Sequence, residues 1–317
     1  MNTTIKKVKM MIVGTIMLGM AALAFAQQQQ TQPQQPRQPR PPLTEVLLKG
    51  YTELPEAQRK AENKRFLEMY EGLRVADVRD GMDWFGYIKF GSMDPSVRPM
   101  YRSHPDAPQP SFGIARTVRY LPYIGPSPVE RGDAYTRWQG AYYGSICTYP
   151  WINQIEDGDF MAIDLSGVNA GLCGSENVLR CLMRGNRGFV FNGGGMRDTD
   201  EVIMQKIPTW TSFLSQAMVQ GRIQFESTQT PVAIGGVVIF PGDIIVADND
   251  GVIVVPRADA EKVAIQAHIM LWDDMATRKR LFEQLGWKFD GTVEVDKNIR
   301  RELFKKMGWD TSVLRER

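Results

Sequence analysis

The chain has 317 residues, with 38 Lys and Arg against 36 Asp and Glu, a formal net charge of +2 and 43% hydrophobic residues. Length and balance fit one large folded domain with extensions or two domains, and there is no basic excess or basic-aromatic stripe of the kind nucleic acid selects. Two histidines, His104 and His268, and three cysteines, Cys147, Cys173 and Cys181, without metal-ligand spacing, argue against a His-rich zinc centre and a Ser-His-Asp site. Carboxylates, arginine and a hard cation remain as the available chemistry.

Lys6, Lys7 and Lys9 precede an apolar run from Met10 to about Ala24 that closes on Ala24-Phe25-Ala26. This pattern predicts a secretory signal peptide over 1–26, cut before Gln27, and hence a periplasmic or secreted protein. The run is short for a bilayer span, so no stable membrane insertion is expected after cleavage. Loss of the three lysines takes the charge from +2 to about −1. The cysteines are expected in the core; an exported chain could pair two of them, and the sequence does not say which.

Residues 27–42, QQQQTQPQQPRQPRPP, predict a disordered or polyproline spacer. From Thr44 to about Leu73 the pattern is helical, broken by Pro55, with Phe66, Met69, Tyr70 and Leu73 on one face. Val75–Gly81 opens a helix or turn, and 93–111 reads as a loop. Strands are expected over 113–120 and 160–165. Ser175 is then a candidate N-cap for a helix to about Arg184, stopped by Gly185. Phe189-Val-Phe191 is a buried strand running into the turn Asn192-Gly-Gly-Gly195. Extended chain resumes at 207–210, closely spaced strands follow over 230–239, 243–247 and 251–255, and a helix runs from Ala258 to about Leu285. Leu281-Phe-Glu-Gln-Leu-Gly-Trp287 recurs as Leu303-Phe-Lys-Lys-Met-Gly-Trp309, two helix ends with a glycine cap and a tryptophan expected to fold back on the last turn.

The glycine turn presents Arg197 and Asp198. In extended backbone successive side chains point to opposite sides, so each of the two is expected to need its own partner. Glu176 lies in the first turn of its predicted helix, where the N–H groups of Asn177 and Val178 and the helix N-terminus suit a carboxylate ligand. Arg197 can grip a carboxylate or keto acid bidentately, and Asp198 can hold a hard cation such as Mg²⁺ or Mn²⁺, with Glu176 holding a water. Two readings are open on these residues alone: a site for a small 2-oxo acid, or a surface Arg and Asp flanking a turn with Glu176 as a favourable first-turn charge.

Gly188-Phe-Val-Phe-Asn-Gly-Gly-Gly-Met-Arg-Asp-Thr-Asp-Glu-Val202 resembles the G-x-V-x-D-G-x-x-R-D-t-d-e signature of the RraA-like family. That family includes the regulator of ribonuclease activity A and the 4-hydroxy-4-methyl-2-oxoglutarate aldolases. The stretch from Pro241-Gly-Asp243 to Val255-Pro256 is similar to its second conserved block, and Gly113-Ile-Ala-Arg-Thr-Val118 to its G-x-A-x-T-V strand. The resemblance implies an α/β chain with a swivelling β/β/α fold over 43–280, N-terminal helices and a C-terminal helical extension over 281–317. It also implies a homotrimer or hexamer.

For chemistry it implies a metal-dependent lyase that cleaves a 4-hydroxy-2-oxo acid, or decarboxylates an oxaloacetate-like one, through pyruvate enolate. Arg197 would bind the pyruvate moiety, Asp198 the metal, and Glu176 would be the upstream carboxylate. A carboxylate from a neighbouring subunit's helix falls on Asp274, with Arg278 after it, where the family usually has glutamate. The family's aspartate before the glycines is Asn192 here and the turn holds one extra glycine, so a second register puts Ser175 at the carboxylate position; only Glu176 supplies the charge. The family's other branch is non-catalytic, which makes a regulator or small-acid-binding protein the alternative.

Overall fold

The twelve-residue strand β2 (Ser111–Pro122) is the spine of the sheet, and it is buried along almost its whole length because it is covered on both faces. The computed structural model describes residues 51–100, 111–126, 132–293 and 297–314; the expected signal peptide, the Gln/Pro spacer, residues 44–50 of the expected first helix and His104 lie outside them. On one side β2 pairs in parallel with β3 (Asp159–Asp164), β3 with β4 (Gly188–Asn192) and β4 with β5 (Thr209–Thr211). Two-residue β1 (Arg98–Pro99) adds antiparallel to β5.

The other side of β2 is shared. Its first third pairs antiparallel with β9 (Ile244–Asp248), and its last part, from Val118, pairs antiparallel with β6 (Ile223–Thr228), with a register shift between Arg119 and Tyr120. β10 (Gly251–Val255) follows β9 antiparallel. The segment before β1 then reaches across to β10, where Met93 N–H donates to Val252 O at 3.0 Å and Val254 N–H to Gly91 O at 2.8 Å. With Met100 N–H on Thr209 O at 2.8 Å, one stretch of chain touches both outer strands and leaves the sheet nearly closed.

Strand alternation sorts the core. Ile245 and Ala247 of β9, Val252 and Val254 of β10, and Phe160 and Ala162 of β3 face one apolar cluster, plugged by the hairpin β7 (Val232–Ile234) and β8 (Val237–Ile239). Their neighbours Ile244, Val246, Ile253 and Val255 face the helices, while Met161 and Ile163 join a third cluster with Phe189 and Phe191. The period of two that made these segments legible as strands is therefore the device that separates the layers.

Helices α1 (Glu56–Tyr70), α2 (Val75–Trp84) and α6 (Ala260–Leu285) cover the face of Ile244, Val246, Ile253 and Val255. Met69, Tyr70 and Leu73 are fully buried, and Phe66 packs beside them, as the helical spacing predicts. A Cβ at Gly81 would lie 2.8 Å from Val263 O, so this mid-helix glycine, which costs about 0.5–1 kcal/mol in helix propensity, lets α2 lie against the backbone of α6. Two elements have no counterpart among those the sequence pattern predicts. Helix α3 (Asp133–Ser145) buries only Tyr142, so its sequence carries no apolar stripe, and half-exposed β6 offers little alternation. All three cysteines are buried and free.

The repeated helix ends have the same geometry. Gly286 and Gly308 sit at φ 66° and 72°, Trp287 N–H donates to Phe282 O at 3.0 Å and Trp309 N–H to Phe304 O at 2.8 Å. Each tryptophan then packs edge-on against the phenylalanine of its own last turn. The second end closes α7 (Lys297–Met307), whose Phe304 is fully buried beside His268.

His268 is buried, donates from Nε2 to Met69 O at 2.8 Å, and leaves Nδ1 without a partner. Burial, with the Arg300 charge nearby, pushes its pKa down to about 3 from the ordinary 6.5. A base with a depressed native pKa contributes stability that is full above pH 6.5 and lost as the pH falls from there toward 3. His268→Gln, which keeps a donor for Met69 O, is expected to lose less stability than the parent over that interval; urea unfolding at pH 7 and pH 4.5 on both proteins measures the difference.

Candidate functional site

The turn after β4 carries three glycines, and each meets a different constraint. Gly193 has φ 111°, a Cβ at Gly194 would sit 2.7 Å from that of Ser215, and one at Gly195 would sit 2.0 Å from Cδ1 of Phe191. The turn is stitched to the segment that enters α4 (Ser175–Leu182): Cys173 N–H donates to Gly195 O at 2.9 Å and Arg197 N–H to Cys173 O at 3.0 Å. Met196 between them is fully buried, which anchors the pair that follows.

Asp198 occupies the left-handed region, φ 56° and ψ 44°, as the N-cap of the short helix α5 (Thr199–Met204). This corrects the expectation that the two charged side chains diverge. The alternation rule holds for extended backbone, and the left-handed residue breaks it, bringing Arg197 Nε to 3.7 Å from Asp198 Oδ1. Both side chains keep about a third of their surface exposed, 33% and 39%. A pair so exposed is worth no more than about 1 kcal/mol, so a ligand can separate it.

The other carboxylate oxygen, Asp198 Oδ2, accepts a 3.3 Å hydrogen bond from Ser175 N–H, a donor the start of α4 leaves free. Gly174 makes this approach possible, since a Cβ there would lie 2.1 Å from Oδ2. Gly171 does the same for the arginine, with its ideal Cβ 2.9 Å from Arg197 Cδ. The pair opens onto a cavity of about 330 Å³ shared with Thr199, Leu214, Ser215 and Gln216. That is room for a small organic acid.

The remaining sequence candidates fall elsewhere. Glu176 forms an (i, i+4) pair with Arg180 at 2.5 Å, its side chain 76% exposed. Val178 N–H is spent on Gly174 O at 3.2 Å, and Asn177 Nδ2 reaches toward Leu172 O at 3.5 Å. With Gly174 as the cap, the free first-turn donors begin at Ser175. Asp274 pairs with Arg278 at 3.5 Å on α6, and its charge is felt by Arg74 and Asp80 rather than by the Arg197 pair of the same chain. Gly171, Gly174, the Ser175 amide and Ser215 escape a search for chemistry-bearing side chains; the Gly171-x-x-Gly174 spacing is the signal that could have found the first two.

Comparison with known proteins bears on this geometry. The RraA-like family, described as Aldolase/RraA, matches residues 75–254, more than half of the chain. Protein DlpA of Legionella pneumophila is 24% identical over 59% of this chain, and a protein provisionally named 4-hydroxy-4-methyl-2-oxoglutarate aldolase from Halalkalibacterium halodurans is 30% identical over 40% of it. The chain spans 27% of the first relative's length and 60% of the second's. A solved structure from Pseudomonas syringae pv. tomato, of an uncharacterized protein, superposes with a TM-score of 0.54 at 25% identity, covering 71% of this chain and 94% of that one. The family holds both aldolase-type members and non-catalytic regulators.

The sequence resemblance implies a divalent metal, and the donors around Asp198 decide whether one fits. Among the described residues no three His, Cys, Asp or Glu side chains cluster, so a closed protein cage is not on offer. One exposed carboxylate, held in place by an amide and a glycine cradle, fits a cation such as magnesium that keeps most of its waters. Gly174→Ala should preserve the fold, because its φ of −100° is open to alanine, while displacing the Asp198 carboxylate. The expected result is a melting temperature within a few degrees of the parent and Mn²⁺ affinity, followed by electron paramagnetic resonance, weakened roughly 10–100-fold.

Proposed function

Because the chain belongs to the RraA-like family, we propose that it is a divalent-metal-dependent carbon–carbon lyase acting on a small 2-oxo acid, either a 4-hydroxy-2-oxo acid or an oxaloacetate-like one. The observation that carries this reading is the Arg197–Asp198 pair, side by side at 3.7 Å and a third exposed over a cavity of small-acid size. Arg197 binds the substrate carboxylate, and its fork geometry fixes the plane of the adjoining carbonyl. Asp198 holds a magnesium or manganese ion, which when bound supplies the positive charge that such a carbonyl needs as electron density moves onto it. The developing pyruvate enolate is then stabilised by a guanidinium that is already in position.

Glu176, one residue beyond the amide that holds Asp198, is the proton-handling carboxylate in this reading, and it must leave Arg180 to act. Asn177 completes the helix end that faces the substrate, while Val178, its N–H spent on Gly174 O, takes no part. Asp274 comes from a neighbouring copy in a trimer or hexamer. The reaction takes place outside the cytoplasm, in the periplasm or medium, as the lysine-led apolar segment over 1–26 supports.

One observation favours a second reading, a regulator or small-acid-binding protein without turnover. Among the described residues of one chain no second carboxylate reaches the pair, and Glu176 is engaged by Arg180 on the surface. The two readings separate in a single experiment: pyruvate release from oxaloacetate and from 4-hydroxy-4-methyl-2-oxoglutarate, with Mg²⁺, with Mn²⁺ and with chelator. The lyase reading expects metal-dependent release, its loss in Asp198→Ala, and a roughly 10–100-fold fall in kcat/KM in Arg197→Lys as a charged bidentate contact of about 1.5–3 kcal/mol is lost. Saturable pyruvate binding with no release from either substrate would establish the second reading instead.

A further inference from the structure

A second pocket, of about 300 Å³, lies between the turn that joins α1 to α2, the middle of α6 and the start of α7. Arg300 of α7 lines it and is only 6% exposed. Its one hydrogen-bond partner among the described residues is the thioether of Met275, at 3.9 Å from Nη1, which is a weak acceptor. No carboxylate among the described residues pairs with it, and a guanidinium buried without an anion is among the least favourable arrangements a protein interior can hold.

The neighbouring charges do not relieve it. Asp77 is close enough for its field to reach Arg300, yet both its oxygens are committed to Arg74, Oδ1 at 2.6 Å and Oδ2 at 3.0 Å. Arg278, also on the pocket wall, has its Nε buried and unpartnered and shares Asp274 only at 3.5 Å. His268 lines the pocket as a neutral ring at pH 7, because burial lowers its pKa to about 3, and its Nε2 proton is donated to Met69 O. Glu71 is the one carboxylate among the lining residues, and it is exposed at the mouth. Among the described residues the wall thus presents Arg300 with no carboxylate of its own, beside Arg74, which holds Asp77, and Arg278, which reaches Asp274 only at 3.5 Å.

We propose that this pocket binds a small oxyanion, a phosphate or carboxylate group, with Arg300 as its anchor and Arg278 as the second donor. Arg278 and Arg300 lie beyond residue 254, where the family match ends, and neither Arg197 nor Asp198 lines this pocket, so the proposal does not rest on the lyase reading. An anion here ties α7 to α6 and to the turn before α2, and so stabilises the folded chain by an amount that grows with the logarithm of its concentration above Kd.

The test is calorimetric titration of the full chain with inorganic phosphate and, separately, with acetate, at constant ionic strength. An Arg197→Ala background removes the other anion site, so that failure of one site is not mistaken for failure of the other. The proposal expects saturable binding of one anion per chain, a melting temperature that rises with that anion, and at least tenfold weaker binding in Arg300→Met. The tighter of the two probes identifies the ligand class. In the absence of anion Arg300→Met should be no less stable than the parent, because it removes an unpaired buried charge. Should that variant fail to fold, Leu303→Trp, which fills the pocket and leaves the charges, must abolish binding. Absence of saturable binding to the folded protein, or binding unchanged by a folded Arg300→Met or Leu303→Trp, overturns the proposal.

Discussion

Two backbone hydrogen bonds, from Cys173 N–H to Gly195 O and from Arg197 N–H to Cys173 O, hold the glycine turn after β4 against the segment that enters α4. They fix the distance between a strand end and a helix start, and the rest of the candidate site is arranged on that distance. Below them lies an apolar floor in which Phe189, Phe191, Cys173 and Met196 are fully buried. A fully buried side chain of this size contributes about 1.5–3 kcal/mol. Above them there is little room, so glycine is required at 171, 194 and 195 for steric reasons, at 174 to seat the Asp198 carboxylate and at 193 for its dihedral angle. The polar pair is thus carried by packing beneath it, and the charges themselves contribute little to stability.

That division of labour explains what was legible in the sequence. Strands β2, β3, β4, β9 and β10 announce themselves because β-branched and aromatic residues alternate between two apolar clusters, and the helices covering them show the 3.6-residue period. The glycine-capped ends at Gly286 and Gly308 are equally readable, since a repeated Phe-x-x-x-Gly-Trp spacing leaves the cap one way to close. Strand β6 and helix α3 are less so: β6 borders β2 along one edge and stays half exposed, and α3 buries one tyrosine. Near closure of the sheet depends on where 91–100 crosses, a long-range pairing that no local pattern encodes.

Within the site, residue types were readable and conformation was not. Arg197 and Asp198 stand out as a charged pair after glycines, but their mutual approach depends on one left-handed residue, which a non-glycine sequence does not signal. The same limit applies to Glu176. Its place in the first turn of α4 follows from sequence, whereas its partner is set by Arg180 four residues on, a choice common to any exposed helix. The donor that reaches the pair is instead an amide, Ser175 N–H, which every residue type would supply.

Diffraction from crystals grown with Mn²⁺ and pyruvate tests the central claim most directly, since manganese can be located by its anomalous signal. The account predicts one peak per chain at coordination distance from an Asp198 carboxylate oxygen, at roughly 2.0–2.2 Å, with the pyruvate carboxylate on Arg197. A manganese peak held by other side chains, or pyruvate bound away from Arg197 while the Arg197–Asp198 pair stays closed, would contradict it.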